Sequence, residues 1–256
     1  MILSDLPLGP LERALVDSLQ RLDPDASPVV LASAALLCMA LDQGDVCLPL
    51  TRLAGQRPWL EQDFRLPALA DWQAQLEASA LVGGDGDFTP LILEHGRLYL
   101  ARYQAYERQL AEQLLLRAAD LPAVDEAQLS ESLGRLFAFN QQQPDWQRLA
   151  AAQAVRRKLA VISGGPGTGK TTTVVRLLAA LLEQPGCEHP GGAPLAIGLA
   201  APTGKAAVRM AEAIRNAKAE LPVSEAIKAA LPDEARTLHR LLGSRGDSPQ
   251  VRHHAA

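Results

Sequence analysis

The sequence predicts an α/β protein in two parts: a mostly helical domain over residues 1–140, then a parallel-sheet domain built around a phosphate loop over 141–256. Three observations carry this. Leucines recur every three or four residues through the first part, the period of a helix with one buried face. Past residue 140, short apolar runs alternate with helical stretches, as in strands joined by crossover helices. Charge divides at the same place: residues 1–140 carry 20 acidic side chains against 10 arginines and no lysine, and residues 141–256 carry 9 acids against 15 bases. Basic character confined to one half points to polyanion binding there.

In chain order, residues 9–22 set Leu11, Leu15, Leu19 and Leu22 on one helical stripe, and residues 66–82 do the same with Leu69, Trp72, Leu76 and Leu81. Between them PVVLASAALLCMAL, 28–41, is apolar all round and reads as a buried helix. Glycines 83, 84 and 86 then interrupt the chain, and the apolar runs over 88–93 and 98–100 read as a small hairpin. A long helix is expected over 99–117. Its stripe of Tyr99, Tyr103, Tyr106, Leu110 and Leu114 reads as core. NQQQPDWQ follows and marks a linker, with the domain boundary near Asn140.

The second part reads as a helix over 145–157, a strand over 158–163, a helix over 170–182, a turn-rich insertion over 183–194, a strand over 195–202 and a helix opening at Thr203. Ligands of such sheets gather at the carboxyl ends of the strands. There the first strand runs into GGPGTGKTTT, which is the complete G-x-x-x-x-G-K-[ST] pattern from Gly164 to Thr171. Gly164, Gly165, Gly167 and Gly169 let the backbone turn with positive φ and approach an anion closely. Lys170 is placed to reach the β and γ phosphates, and the Thr171 hydroxyl to hold Mg²⁺. The helix dipole adds to the attraction. Pro166 and Thr168 lie inside the loop without being required by it. At the second strand end Pro202, Thr203, Gly204 and Lys205 imitate this loop, but Leu199 and Ala206 stand where a glycine and a hydroxyl residue would be needed. That geometry suits a single phosphate, such as nucleic-acid backbone offers in series.

Composition excludes several classes. With 48% hydrophobic and 21% charged residues the chain can bury a sizeable core. No apolar run reaches the ~20 residues of a membrane span, so no membrane partner is expected. The N-terminus lacks a secretory signal, and Cys38, Cys47 and Cys187 form no C-x-x-C pair, which suits a reducing, cytoplasmic setting. Cys187 and His189 alone do not make a zinc site.

GGPGTGKTTTVVRLL, LAAPTGKAAVRMAEA and ARTLHRLLG, in this order, resemble the first motifs of superfamily 1 DNA helicases. Together with VCLPLTRL and TPLILEHGRLYLARYQAYER in the first half, they are most similar to the RecD family, the alpha subunits of RecBCD enzymes (exodeoxyribonuclease V). The resemblance implies that the second part is the start of a RecA-like motor domain, with ATP and Mg²⁺ on Gly164, Gly165, Pro166, Gly167, Thr168, Gly169, Lys170, Thr171 and Thr172. It implies that Gln147, with Gln153 as the competing choice, reads adenine through an amide that both donates and accepts. It assigns single-stranded DNA to Pro202, Thr203, Gly204 and Lys205 and to Thr237, His239 and Arg240, although His239 could instead pack under its helix. RecB-like and RecC-like partners would complete a heterotrimer, docked through the acidic first domain.

The expected activity is an ATP-dependent 5′ to 3′ helicase acting in recombinational repair of double-strand breaks. No strand after Thr171 ends in the acidic pair that such ATPases use, so the 256 residues read as a truncated, N-terminal part of a longer protein that binds nucleotide without turning it over. Two alternatives stay open: another phosphate-loop ATPase or kinase, and a non-catalytic module that binds partners.

Overall fold

The computed structural model describes residues 6–137, 144–186, 195–245 and 248–253. The boundary near Asn140, the insertion holding Cys187 and His189, and His254 lie outside these residues. Contacts divide the chain into two compact units, Met1–Gln113 and Leu114–Ala256.

In the first unit α1 (Pro10–Leu22) and α2 (Pro28–Asp42) begin with proline at the first turn, where its missing N–H costs nothing. Ser27 caps α2 by accepting from the Val30 N–H. The apolar circumference of α2 is buried along nearly its whole length, as its composition requires. Ser33 is the polar exception. Its hydroxyl donates to the Val29 carbonyl at 2.6 Å and accepts from the Trp72 indole N–H at 2.8 Å, so α3 (Leu69–Glu77) is fixed to α2 by a satisfied buried bond.

Against these helices lies a mixed sheet of β1 (Leu48–Pro49), β2 (Val82–Gly83), β3 (Leu91–Glu94) and β4 (Arg97–Leu100), in the order β1-β4-β3-β2. β3 and β4 form a hairpin closed by His95 (φ 49°) and Gly96 (φ 70°), the paired positive φ that a two-residue turn needs to match strand twist. The hairpin begins later than expected, because Phe88 is fully exposed ahead of it. In α1 the buried face centres on Val16 and Leu19, and Leu11 and Leu22 at the ends of the expected stripe face solvent.

The long helix, α4, spans Ala101–Ala119 and differs from expectation in two ways. Tyr99 belongs to β4, where it is buried, and Tyr106, Leu110 and Leu114 are exposed, so the stripe is not core. The division between the compact units falls inside this helix, at Gln113/Leu114. The physical reason is α5 (Glu126–Leu136). Leu129, Leu133, Leu136 and the following Phe137 share a core with Val155, Val175 and Ala179 of the second unit. Polar bonds reinforce it. The Arg135 guanidinium donates to both Glu183 oxygens at 2.6 Å, the Ser132 hydroxyl donates to Glu183 at 2.5 Å, and the Asp125 N–H donates to Gln184 Oε1 at 2.9 Å.

The second unit continues with α6 (Trp146–Val155), α7 (Lys170–Leu182), β5 (Ala200–Ala201), α8 (Gly204–Ala219), α9 (Glu225–Ala230), β6 (Arg236–Thr237) and α10 (Leu238–Leu242). β5 and β6 are parallel, with Ala200 opposite Arg236 and Ala201 opposite Thr237. This is the parallel, helix-connected arrangement that the alternation implied, with far less sheet. Neither 158–163 nor 195–199 is a strand. Among the described residues, no backbone bond ties 159–163 to a neighbouring segment, and Val161 is 87% exposed.

Candidate nucleotide site

The Gly164–Thr171 loop is shaped by close contacts that glycine alone permits. Gly167 and Gly169 both take φ of 76°. A Cβ on Gly164 would stand 2.8 Å from Thr168 Oγ1, and a Cβ on Gly169 would stand 2.6 Å from Gln147 Nε2. Thr168 holds the turn by donating from its hydroxyl to the Gly165 carbonyl at 2.9 Å. No side chain caps α7, whose first intrahelical donor to Gly169 is the Thr173 N–H. The amides of Lys170, Thr171 and Thr172 are thus left for an outside acceptor, at the positive end of a thirteen-residue helix.

Lys170 folds back over the loop, its ammonium donating to the Gly164 and Gly165 carbonyls at 2.6 Å each. The loop therefore satisfies its own cation. A phosphate chain entering here would exchange those neutral acceptors for charged ones, a stronger partner for an ammonium.

Gln147 lies on the first turn of α6. Asp145 caps that turn by accepting from the Gln147 and Arg148 N–H groups at 3.0 Å. The Gln147 side chain donates one amide hydrogen to the Thr168 carbonyl at 3.0 Å, which leaves its other hydrogen and its oxygen for a ligand. A cavity of about 610 Å³ opens between α6 and the loop, bordered by Trp146, Gln147, Gly164, Thr168, Lys170 and Thr173 among others. That volume lies within the range of small-molecule sites. Gln153 borders a separate hollow of about 280 Å³ beside residues 159–162, so of the two glutamines Gln147 is the one at the loop.

Two features here escaped sequence reasoning. Trp146, 71% exposed on the cavity wall, carried a signal only in standing next to Gln147. Thr173, also on the wall, is the third threonine of a run in which the first two drew the attention; its hydroxyl donates to the Gly169 carbonyl at 3.0 Å.

The nucleic-acid candidates fall into two neighbouring helix starts. Thr203 caps α8, accepting from the Ala206 N–H at 3.2 Å, and Thr237 caps α10, accepting from the Arg240 N–H at 3.3 Å. Because β5 and β6 pair in parallel with Ala201 opposite Thr237, both starts lie at the same, carboxyl end of the pair. Pro202, Thr203, Gly204, Lys205, His239 and Arg240 are all exposed, so His239 does not pack under its helix. Asp233 and Glu234, the adjacent acids of this region, precede β6 instead of ending it, and Asp233 pairs with Lys218 at 2.7 Å. No group of three or more potential metal ligands occurs among the described residues.

Residues 6–99 match the N-terminal domain of RecBCD enzyme subunit RecD, and residues 147–255 match an AAA domain. The chain is RecD-like. It is 40% identical to the RecBCD enzyme subunit RecD of Mycolicibacterium smegmatis over 96% of its own length and 42% of that protein. The corresponding subunit of Mycobacterium tuberculosis strain H37Rv is 42% identical over 84% of the RecD-like chain and 35% of its own length, and that of Haemophilus influenzae 34% identical over 82% and 35%. The RecD-like chain thus spans about two-fifths of these curated relatives or less. The ATP-dependent RecD2 DNA helicase of Deinococcus radiodurans is 31% identical over 58% of the chain. No helix among the described residues is long and apolar enough to cross a membrane.

Proposed function

We propose that this chain is the nucleotide-binding part of an ATP-driven motor subunit that moves 5′ to 3′ along single-stranded DNA. It would work in the cytoplasm, within a RecBCD-type complex that processes duplex ends for recombinational repair. The observation that carries the reading is the phosphate loop: positive-φ glycines, an uncapped helix start and Lys170 held within it, beside a cavity that Gln147 borders. In this reading ATP draws Lys170 off the Gly164 and Gly165 carbonyls onto its β and γ phosphates. The loop N–H groups from Gly164 to Thr172, Pro166 excepted, surround the phosphates, Thr171 supplies one Mg²⁺ ligand, and the free hydrogen and oxygen of Gln147 meet the adenine edge.

DNA backbone would lie across the two helix starts, on Pro202, Thr203, Gly204 and Lys205 and on Thr237, His239 and Arg240. Such contacts serve phosphate and sugar without reading sequence. The names of the relatives support RecB-like and RecC-like partners. Because α5 completes the core of the second unit, the docking role proposed for the acidic first domain is assigned to residues 1–113, and a deletion testing it should end before α5.

The test is ATP hydrolysis by the full-length protein, with and without single-stranded DNA, beside Lys170→Gln. Stimulation by DNA that the variant loses is the expected result; hydrolysis indifferent to DNA would favour another phosphate-loop ATPase or kinase. The 256 residues alone should bind nucleotide without turning it over, since among the described residues no strand after Thr171 ends in paired carboxylates.

A further inference from the structure

We propose that the Trp146 indole is the platform on which the purine base of the bound nucleotide stacks; this rests on reading the cavity as a nucleotide site. Trp146 occupies the first position of α6 and is 71% exposed, against 6% and 0% for Trp59 and Trp72, the other tryptophans. A bare indole leaves unused the large area that aromatic rings bury when they find a partner, which a stacked base would cover.

Its position is built. The Asp145 cap fixes the turn from which the ring projects, accepting two N–H groups at 3.0 Å. The adjoining side chain, Gln147, touches the phosphate loop at the Thr168 carbonyl. A ligand whose phosphates lie on that loop and whose base meets Gln147 therefore reaches the neighbouring ring.

The cavity wall also divides chemically. Gly164, Thr168 and Lys170 offer donors and positive charge, whereas Pro144, Trp146 and Ala150 offer apolar surface, and Trp146 is the aromatic residue among those that border it. Phosphates need the first set and a flat π-face needs the second. Edge recognition by Gln147 and face recognition by Trp146 are geometrically independent, so one side chain would select adenine and the other would hold a two-ring base more tightly than a one-ring base.

Because Trp59 and Trp72 are buried, quenching of intrinsic fluorescence by acrylamide reports on Trp146. The experiment uses the 256-residue chain with Mg²⁺, and two probes: ATP and inorganic tripolyphosphate, which offers the phosphates without a base. Saturating ATP should reduce quenching to the level that Trp146→Leu shows, and tripolyphosphate should displace ATP while leaving Trp146 quenchable. Trp146→Ala should weaken ATP by about tenfold, in line with base-aromatic stacking, leave tripolyphosphate affinity unchanged, and be rescued in large part by Trp146→Phe.

Calorimetric binding of ATP with Trp146 still fully quenchable would overturn the platform and leave the nucleotide site standing. Equal weakening of both probes by Trp146→Ala would do the same, as would shielding of Trp146 by a single-stranded oligonucleotide alone. If neither probe binds the unaltered chain, the nucleotide reading falls and takes the platform with it.

Discussion

Replacing Gly169 by alanine tests whether the phosphate loop and the start of α6 act as one structure. Gly169 holds φ 76° and ψ 21°, the left-handed region, where a Cβ costs about 1–2 kcal/mol. The new Cβ would also stand 2.6 Å from Gln147 Nε2. That atom ends a flexible side chain, so Gln147 should swing aside and give up its bond to the Thr168 carbonyl, a further loss of about 1 kcal/mol. Gly169→Ala should therefore destabilise by about 2–3 kcal/mol, and Gln147→Ala by about 1 kcal/mol.

The informative quantity is the double variant. With the glutamine already gone, alanine at 169 meets only backbone strain, so the pair together should cost no more than Gly169→Ala alone. The two single effects then exceed the double by about 1 kcal/mol, the mark of residues in contact. Urea unfolding of the four proteins measures the cycle. Strict additivity would refute the contact, and a neutral Gly169→Ala would refute the left-handed conformation.

Three other outcomes are expected. Ser33→Ala should destabilise by about 1–3 kcal/mol by stranding the buried Trp72 N–H, and combining it with Trp72→Phe should cost less than the sum of the two single losses; strict additivity would count against the bond. The Glu126 carboxyl is held below its ordinary 4.5 chiefly by the hydrogen bond from Arg156, so its contribution is present above that value and lost as pH falls through the lowered one; carboxyl NMR should show the titration return to the ordinary range in Arg156→Gln. Burial, chiefly, raises the Tyr99 hydroxyl above 10.0. Its stabilisation is then full below that pH and disappears as pH rises through the raised value, and Tyr99→Phe should remove phenolate absorbance that develops in alkaline solution above the ordinary range.

What could be read in advance tracks how local the determining physics is. The span of α7 and the loop before it followed from glycine, lysine and hydroxyl spacing, because a phosphate loop is specified within about ten residues. The helix start at Thr203 is equally local. Burial is not. The stripe on α4 has the same period whether a neighbour covers it or not, and here Tyr106, Leu110 and Leu114 stay exposed. The assignment of α5 to the second unit depends on partners such as Glu183 and Gln184, some fifty residues further on, beyond the reach of any window read along the chain. The same limit applies to Trp146. Nothing in its neighbours along the sequence says that the ring stays bare, since that requires knowing which wall of the cavity it borders.

The run at 159–163, whose backbone makes no bond to a neighbouring segment among the described residues, has a practical consequence for anyone handling this protein. Its main-chain amides and carbonyls, beside an exposed Val161, are open to pairing with a strand from a second molecule. Concentrated preparations should therefore gain intermolecular β-structure, and a lysine at position 161 should keep the molecules apart.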